Sequence, residues 1–151
     1  MASTSASGIG SAARIAASAA LAMLLLGTSP LGKVEVALTG LRSTHGKIQA
    51  CLTLRADIFP DCQADPAARR LTVPAGQPLS FGDLPSGAYA LALIHDENGN
   101  GRLDTRLGIP IEGFGFSRNP VILFGPPRFA AARFAVTGGE SDQTVKVRYL
   151  F

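Results

Sequence analysis

Apolar and polar residues alternate along much of the chain with a period of two, which is typical of β-strands covered on one face. Every second residue is aliphatic at positions 34–38, and the alternation returns at positions 48–54 with Cys51 on the polar side. Residues 71–73 form a third, shorter apolar run, which Pro74 ends. These patterns predict three strands in the first half of the chain.

The second half continues in the same way. Residues 87–96 are almost continuously apolar, as expected of a central strand that is covered on both faces. Further extended runs are predicted at 129–136 and 144–151, with a turn at 137–140 between them. Many short strands with Gly and Pro turns, and no long amphipathic helix pattern after residue 32, predict an all-β fold. We expect an antiparallel β-sandwich of about seven strands.

The first 32 residues differ from the rest. An uncharged apolar run at 15–26 follows Arg14 and precedes the breakers Gly27 and Pro30, an order typical of a secretory signal peptide. We therefore divide the chain into a signal peptide helix at 1–32 and a sandwich domain at 33–151. The run is shorter than the roughly 20 residues of a spanning helix, and an uncleaved anchor is the alternative. No Ala-x-Ala triplet follows the run, so the cleavage position is left open.

Composition adds limits rather than a function. The 151 residues are 46% hydrophobic and 17% charged, which excludes a disordered chain and favours one folded domain. The formal charge is +3, and the basic residues are scattered singly apart from Arg69 and Arg70. Nucleic-acid binding is therefore not expected. The partner is an unknown protein or small molecule, and no stable membrane span is expected after signal cleavage.

Cys51 and Cys62 are the two cysteines of the chain, and both follow the predicted signal. An even number of cysteines in an exported chain favours a disulfide. The Pro and Asp residues between them allow the chain to turn back. Redox-motif spacing and sufficient metal ligands are both missing, so a structural disulfide is predicted.

Oxygen-bearing residues recur at alternate positions between 96 and 104, which we call the 96–104 loop. The pattern contains Asp96, Asn98, Asn100, the carbonyl of Arg102, and Asp104, with Gly101 at the sixth place. This is the spacing of the first part of a calcium loop, because a hard cation takes many oxygen ligands from one side of the chain.

The twelfth place of that motif requires a bidentate Glu, and here it is Leu107. Glu112 or Glu97 would have to supply the missing carboxylate. Calcium is thus the possible cofactor, with an expected dissociation constant on the order of 10⁻⁴ to 10⁻³ M. The alternative is a metal-free turn, since two Asn-Gly dipeptides occur within the loop.

Phe114 and Phe116 alternate with glycines in a Gly-Phe-Gly-Phe segment. In an extended strand both rings lie on one face, and the glycines allow another part of the chain to approach closely. The rings could line a binding face or pack in the interior beneath the preceding loop.

An enzymatic role is not expected. The chain has no nucleophile elbow, no paired metal-binding histidines and no phosphate-binding glycine loop. His95 beside Asp96 could act as an acid–base pair, but a histidine at a strand end is more often a structural, hydrogen-bonded residue.

Several segments together resemble the DUF2141 family, a bacterial family of uncharacterised exported proteins. They are residues 81–90, 95–101, 108–110, 112–117 and 126–129, within a resemblance that runs from about Lys33 to the C-terminus. The Leu-Pro-x-Gly-x-Tyr step at 84–89 is also similar to transthyretin-like and carboxypeptidase-regulatory-like sandwiches. The resemblance implies a prealbumin-like sandwich in the bacterial periplasm or outside the cell, and it implies no activity.

The expected function is therefore that of an exported, non-enzymatic sandwich domain of unknown role. It would be a structural or interaction module that binds Ca²⁺ weakly through the 96–104 loop. The alternative is a periplasmic module that binds a small ligand or carbohydrate at Phe114 and Phe116.

Overall fold

The computed structural model describes residues 1–4 and 29–151. The predicted signal peptide falls mainly on residues outside this part of the chain, so it stays a prediction. No helix within the described residues is long and apolar enough to cross a membrane.

The described part of the chain contains ten strands and one helical turn. These are β1 Gly32–Thr39, β2 Lys47–Thr53, β3 Arg69–Pro74, β4 Leu79–Leu84, β5 Gly87–Asp96, β6 Thr105–Arg106, β7 Ile109–Pro110, β8 Gly113–Phe116, α1 Phe129–Ala132, β9 Phe134–Val136 and β10 Gly139–Lys146. The strands predicted at 34–38, 48–54, 71–73 and 87–96 correspond to β1, β2, β3 and β5.

Eight of these strands form two sheets. The smaller sheet has the order β10-β1-β4, and the larger has the order β3-β2-β5-β8, with β9 pairing with β5 beside this path. Strands β6 and β7 form a separate hairpin. The predicted all-β sandwich is confirmed.

The main core lies between the sheets and follows from the alternation in the sequence. In β1 the buried residues Val34 and Val36 alternate with more exposed ones, and in β2 Ile48, Ala50 and Leu52 do the same. These side chains join one cluster with inward residues of β4, β5 and β10. Apolar burial of this kind is the main stabilising contribution to the fold.

One strand pair departs from the antiparallel pattern. Strands β1 and β10 pair in parallel along their whole length, from Gly32 opposite Gly139 to Thr39 opposite Lys146. The chain crosses from the larger sheet to the smaller one between β9 and β10 instead of making a hairpin. The direction of β10 is therefore not fixed by a tight turn.

The C-terminal predictions need correction. The run at 129–136 begins with the helical turn α1, and only Phe134–Val136 is a strand. Three consecutive alanines favour the helical turn, and Ala132 is fully buried there. The last strand starts at Gly139, not at 144, and ends at Lys146. Beyond it, Arg148 makes an isolated bridge with Phe114 of the larger sheet.

The segment from Val145 to Tyr149 packs directly against β8, and this close packing explains the glycines of that strand. A Cβ atom at Gly113 would lie 2.5 Å from Cε1 of Tyr149, and one at Gly115 would lie 2.7 Å from Cγ1 of Val145. Any larger residue would push the C-terminal segment away from the sheet. This is the close approach that the Gly-Phe-Gly-Phe pattern indicates.

Candidate functional site

The 96–104 loop begins where β5 ends, at the almost fully buried Asp96. One carboxylate oxygen of Asp96 accepts the backbone N–H groups of Gly99 at 2.7 Å and Asn100 at 3.0 Å. The other accepts the N–H of Gly101 at 2.8 Å and the side-chain amide of Gln49 at 2.6 Å. A carboxylate has about four acceptor positions, and these donors use them.

Glycine makes this arrangement possible, because Gly99 and Gly101 have φ angles of 76° and 87°. Burial by itself would raise the pKa of Asp96, but the amide donors of the loop together with Gln49 outweigh it. The net effect is a pKa below the ordinary value. Asp96 is thus held as an anion in the folded chain.

Asp104 closes the other end of the loop. Its carboxylate accepts the side-chain amides of Asn98 at 2.6 Å and Asn100 at 2.9 Å, and Nε of Arg102 at 3.3 Å. Hydrogen bonds from Asn100 and Asn98 are the main reason that the pKa of Asp104 is lowered. The side-chain oxygens of the two Asn residues in turn accept backbone N–H groups two residues ahead, as in Asx turns.

Glu112 folds back onto the loop, although it is eight residues beyond Asp104. Its buried carboxylate accepts the N–H of Glu97 at 3.0 Å through one oxygen and the N–H of Asp104 at 3.0 Å through the other. Glu112 therefore links Glu97, the first loop residue after β5, to Asp104, the last residue of the loop. Glu112 is one of the possible ligands of this loop named from the sequence, and its carboxylate here accepts backbone N–H groups of the loop.

Glu97, the other possible calcium ligand, turns away from the loop. Its carboxylate pairs with the guanidinium of Arg42 and accepts the hydroxyl of Ser43 at 2.9 Å. The hydrogen bonds from Arg42 are the main cause of the lowered pKa of Glu97. Arg42 also stacks on the ring of Tyr149, with 4.3 Å between its Cζ and the ring centroid.

All the residues predicted as calcium ligands thus lie in or against one loop, except for the Glu97 side chain. Their carboxylate oxygens accept N–H groups of the loop and its neighbours. Within residues 1–4 and 29–151, no group of three or more His, Cys, Asp or Glu side chains is arranged to hold a metal ion. The hydrogen bonding matches that of a turn satisfied by its own chain.

His95 is fully buried and both of its ring nitrogens have partners. Nε2 lies 2.7 Å from the carbonyl oxygen of His45, which can only accept, so Nε2 carries the proton. Nδ1 lies 2.6 Å from the hydroxyl of Tyr149, which donates to it when the ring is neutral. Burial raises the pKa of this tyrosine. These contacts join β5 to the C-terminal segment.

A second feature is a cleft of about 890 Å³ on the outer face of the larger sheet. Side chains of four neighbouring strands form its floor, and the pairing register arranges them in two rows that run across the strands. Read from β3 to β8, the rows are Arg70, Cys51, Ala92, Phe116 and Thr72, Gln49, Ile94, Phe114. The floor is therefore aromatic and aliphatic on β8 and β5, is formed by Gln49 and the disulfide-bonded Cys51 on β2, and is polar on β3.

Both interpretations of the Gly-Phe-Gly-Phe segment, packing and a binding face, apply to Phe114 and Phe116. Each of these residues is 7% exposed and packs with Ala90, Ala92 and Ala132 in a small cluster on the outer face of the sheet. The same rings also line the cleft. They are packed side chains whose remaining surface forms part of its floor.

Three segments wall the cleft, at 60–63, 101–110 and 122–126. The first is fixed to the floor by the Cys51–Cys62 disulfide, which confirms that prediction. The second contains the β6–β7 hairpin, whose turn residues Leu107 and Gly108 both have positive φ angles, as in a type I′ turn.

Sequence reasoning missed the exposed apolar residues that line the cleft. Ile109, Leu123, Phe124 and Leu150 line the cleft, yet they are between 44% and 98% exposed. One signal was visible, namely an apolar run at 121–124 between Pro120 and Pro126. Such a run cannot pair centrally in a sheet and is too short for a core helix.

Comparison with known proteins places the chain among bacterial sequences. A family model described as "Uncharacterized protein conserved in bacteria (DUF2141)" matches residues 36–144. The search of curated proteins gave no match, and neither did the search of solved structures.

Proposed function

The chain belongs to the bacterial DUF2141 family, and from that premise we propose that it is a non-enzymatic module that binds an apolar small molecule in its outer cleft. Family membership brings no activity with it, so the proposal rests on the surface of the molecule. The observation that carries it is the cleft of about 890 Å³, whose floor contains Phe114 and Phe116 and whose walls expose Leu123 and Phe124.

Size and lining both support this proposal. Small-molecule sites are concave, measure about 300–1,000 Å³ and combine a mainly apolar lining with a few polar groups. Contiguous exposed apolar surface on a folded domain commonly marks an interaction site. A sugar would require aromatic faces open to solvent, whereas Phe114 and Phe116 expose little surface. An apolar ligand therefore fits better than a carbohydrate.

The test is a titration of the oxidised protein with an environment-sensitive apolar dye, followed by displacement with candidate ligands. Ile94 lies on the floor of the cleft, so Ile94→Trp should fill part of it and weaken binding at least tenfold. Ala37→Trp introduces the same side chain at an exposed position on β1, away from the cleft, and should leave the affinity unchanged. Saturable binding that Ile94→Trp does not alter would place the ligand elsewhere.

Calcium binding at the 96–104 loop is the second candidate function. The observation in its favour is that three carboxylates, those of Asp96, Asp104 and Glu112, accept hydrogen bonds from the same short loop. Against it, a cation would have to displace N–H donors that already use these oxygens, and so weak binding is expected.

Thermal unfolding in EDTA and then in millimolar calcium tests this second function. Binding to the folded state would raise the melting temperature, and Asp104→Asn should remove the rise. Asp142→Asn, on the exposed strand β10, is the matched control. Identical melting curves with and without calcium would leave the loop as a purely structural turn.

A further inference from the structure

We propose that the ligand of the cleft is a single-chain amphiphile with an anionic head group. Its chain would lie over β8 and β5, and its head group would lie at Arg70 on β3. This inference rests on the proposed function and adds the chemical class of the ligand to it.

The first argument is the gradient of polarity across the floor. Each cross-strand row begins with a phenylalanine on β8, continues with Ala92 or Ile94 on β5, and ends with a polar residue on β3, which is Arg70 in one row and Thr72 in the other. Three steps between neighbouring strands span roughly 14 Å. A uniformly apolar ligand would leave the polar end of this floor unpaired, whereas an amphiphile matches both ends.

The second argument is the state of Arg70. Its Nη2 donates to the carbonyl oxygens of Cys62, of Gln63 at 3.1 Å and of Asp65 at 3.0 Å. These bonds hold the guanidinium against the 60–63 wall, which the disulfide also fixes. Among the described residues, Nε and Nη1 of Arg70 have no hydrogen-bond partner and Arg70 forms no salt bridge. A preorganised guanidinium with free donors is suited to a carboxylate or phosphate.

The third argument is the charge of the lining. The basic residues that line the cleft are Arg70 and Arg102, and the acidic one is Asp61. One oxygen of Asp61 already accepts the N–H of Gln63 at 2.9 Å. Arg102 is paired with the Asp104 carboxylate at 3.3 Å, so Arg70 is the basic residue of the lining that forms no salt bridge among the described residues, and it favours an anionic head group over a cationic one.

The experiment compares ligands that share one chain and differ in the head group. Dodecanoate, dodecanol and dodecyltrimethylammonium are titrated into the oxidised protein at pH 8, below their micelle concentrations, by calorimetry or dye displacement. Dodecanoate should bind at least tenfold more tightly than dodecanol, and the cationic amphiphile should bind most weakly.

Two variants connect this preference with Arg70. Arg70→Met should lower the affinity for dodecanoate to that for dodecanol. Arg70→Lys keeps the positive charge but loses the paired N–H donors of the guanidinium, so it should retain part of the difference in affinity between the two ligands. Arg69→Met is the matched control, since Arg69 is adjacent on β3, faces the other side and donates to the carbonyl of Asp83. Should Arg70→Met fail to fold, Arg70→Lys carries the test.

The outcomes separate this inference from the proposed function. Equal affinities for dodecanoate and dodecanol would overturn the anionic head group and leave an apolar binding cleft. Absence of binding by every monomeric amphiphile would overturn both. Binding to phosphatidylglycerol vesicles without binding of dodecanoate would also overturn the inference, because the protein would then recognise a lipid surface rather than a single molecule.

Discussion

The 96–104 loop and the outer cleft are neighbours that differ in how far the chain satisfies its own groups. In the loop the carboxylates of Asp96, Asp104 and Glu112 accept N–H donors from nearby residues. In the cleft Leu123 and Phe124 remain largely exposed, beside a floor whose residues on β8 and β5 are apolar.

This difference shows that a conspicuous polar motif in the sequence does not by itself mark the surface that is open to a ligand. Oxygen atoms that already have donors contribute to stability, and binding a ligand there requires breaking those bonds. Apolar surface that no residue covers gains free energy when a ligand covers it. Changes to Asp96, Asp104 or Glu112 should therefore alter stability, and changes to the exposed apolar residues of the cleft should alter binding.

The largest expected effect is that of Asp96→Ala, which removes the acceptor of three backbone amides and of Gln49. We expect a loss of about 3–4 kcal/mol in the free energy of unfolding, measured by urea denaturation. Asp96→Asn keeps one carbonyl acceptor and should lose less. A loss below about 1 kcal/mol for the alanine variant would contradict the role of Asp96 as the centre of the loop.

The next effect is that of reducing the Cys51–Cys62 disulfide, which closes a loop with a sequence separation of 11. The entropy of loop closure predicts a loss of about 2–3 kcal/mol. Because this bond fixes one wall of the cleft, ligand affinity should fall as well, unlike in the loop variants. Titration of the Cys51→Ser, Cys62→Ser protein tests this, and an unchanged affinity would show that the wall keeps its position without the bond.

Lowering the pH should affect the loop through Asp96, whose pKa is lowered in the folded state. Its contribution is complete above the unfolded pKa of about 4 and is lost as the pH falls further, through the folded pKa. Urea midpoints measured from pH 7 to pH 3 should decline at the acid end. Asp96→Asn should show a smaller decline, and parallel curves for the two proteins would exclude Asp96 as the source.

The smallest effect on stability is expected for Phe124→Ser, because this side chain is 98% exposed. The free energy of unfolding should change by less than about 0.5 kcal/mol. Affinity for an apolar ligand should nevertheless fall, by roughly fivefold if the ring is partly covered in the complex. Val121→Ser, at a neighbouring exposed position outside the cleft lining, is the control. Equal affinities of the two variants would argue against a role for Phe124.

Local patterning was sufficient for much of the fold. Alternation in β1 and β2 and the continuous apolar run of β5 predicted strands close to their observed bounds. Strand β4 was missed because its alternation stops at Gly82 and Asp83, the latter with a φ angle of 53°. The turn α1 was missed because a single helical turn is too short to show a periodicity.

The candidate site was predictable only where it is local in sequence. The spacing of oxygen-bearing residues from Asp96 to Asp104 correctly indicated one compact loop, and the cysteine count indicated the disulfide. The cleft depends on which residues of four strands stand side by side, and this register is set by long-range pairing. No local pattern places Arg70 in the same row as Phe116.

The parallel pair of β1 and β10 also has a consequence for biosynthesis. Strand β1, at the centre of the smaller sheet, pairs on one side with β10, so residues 32–39 are joined to residues 139–146 near the opposite end of the described chain. Such high contact order slows folding. A chain that emerges N-terminus first cannot complete this sheet until β10 has been synthesised.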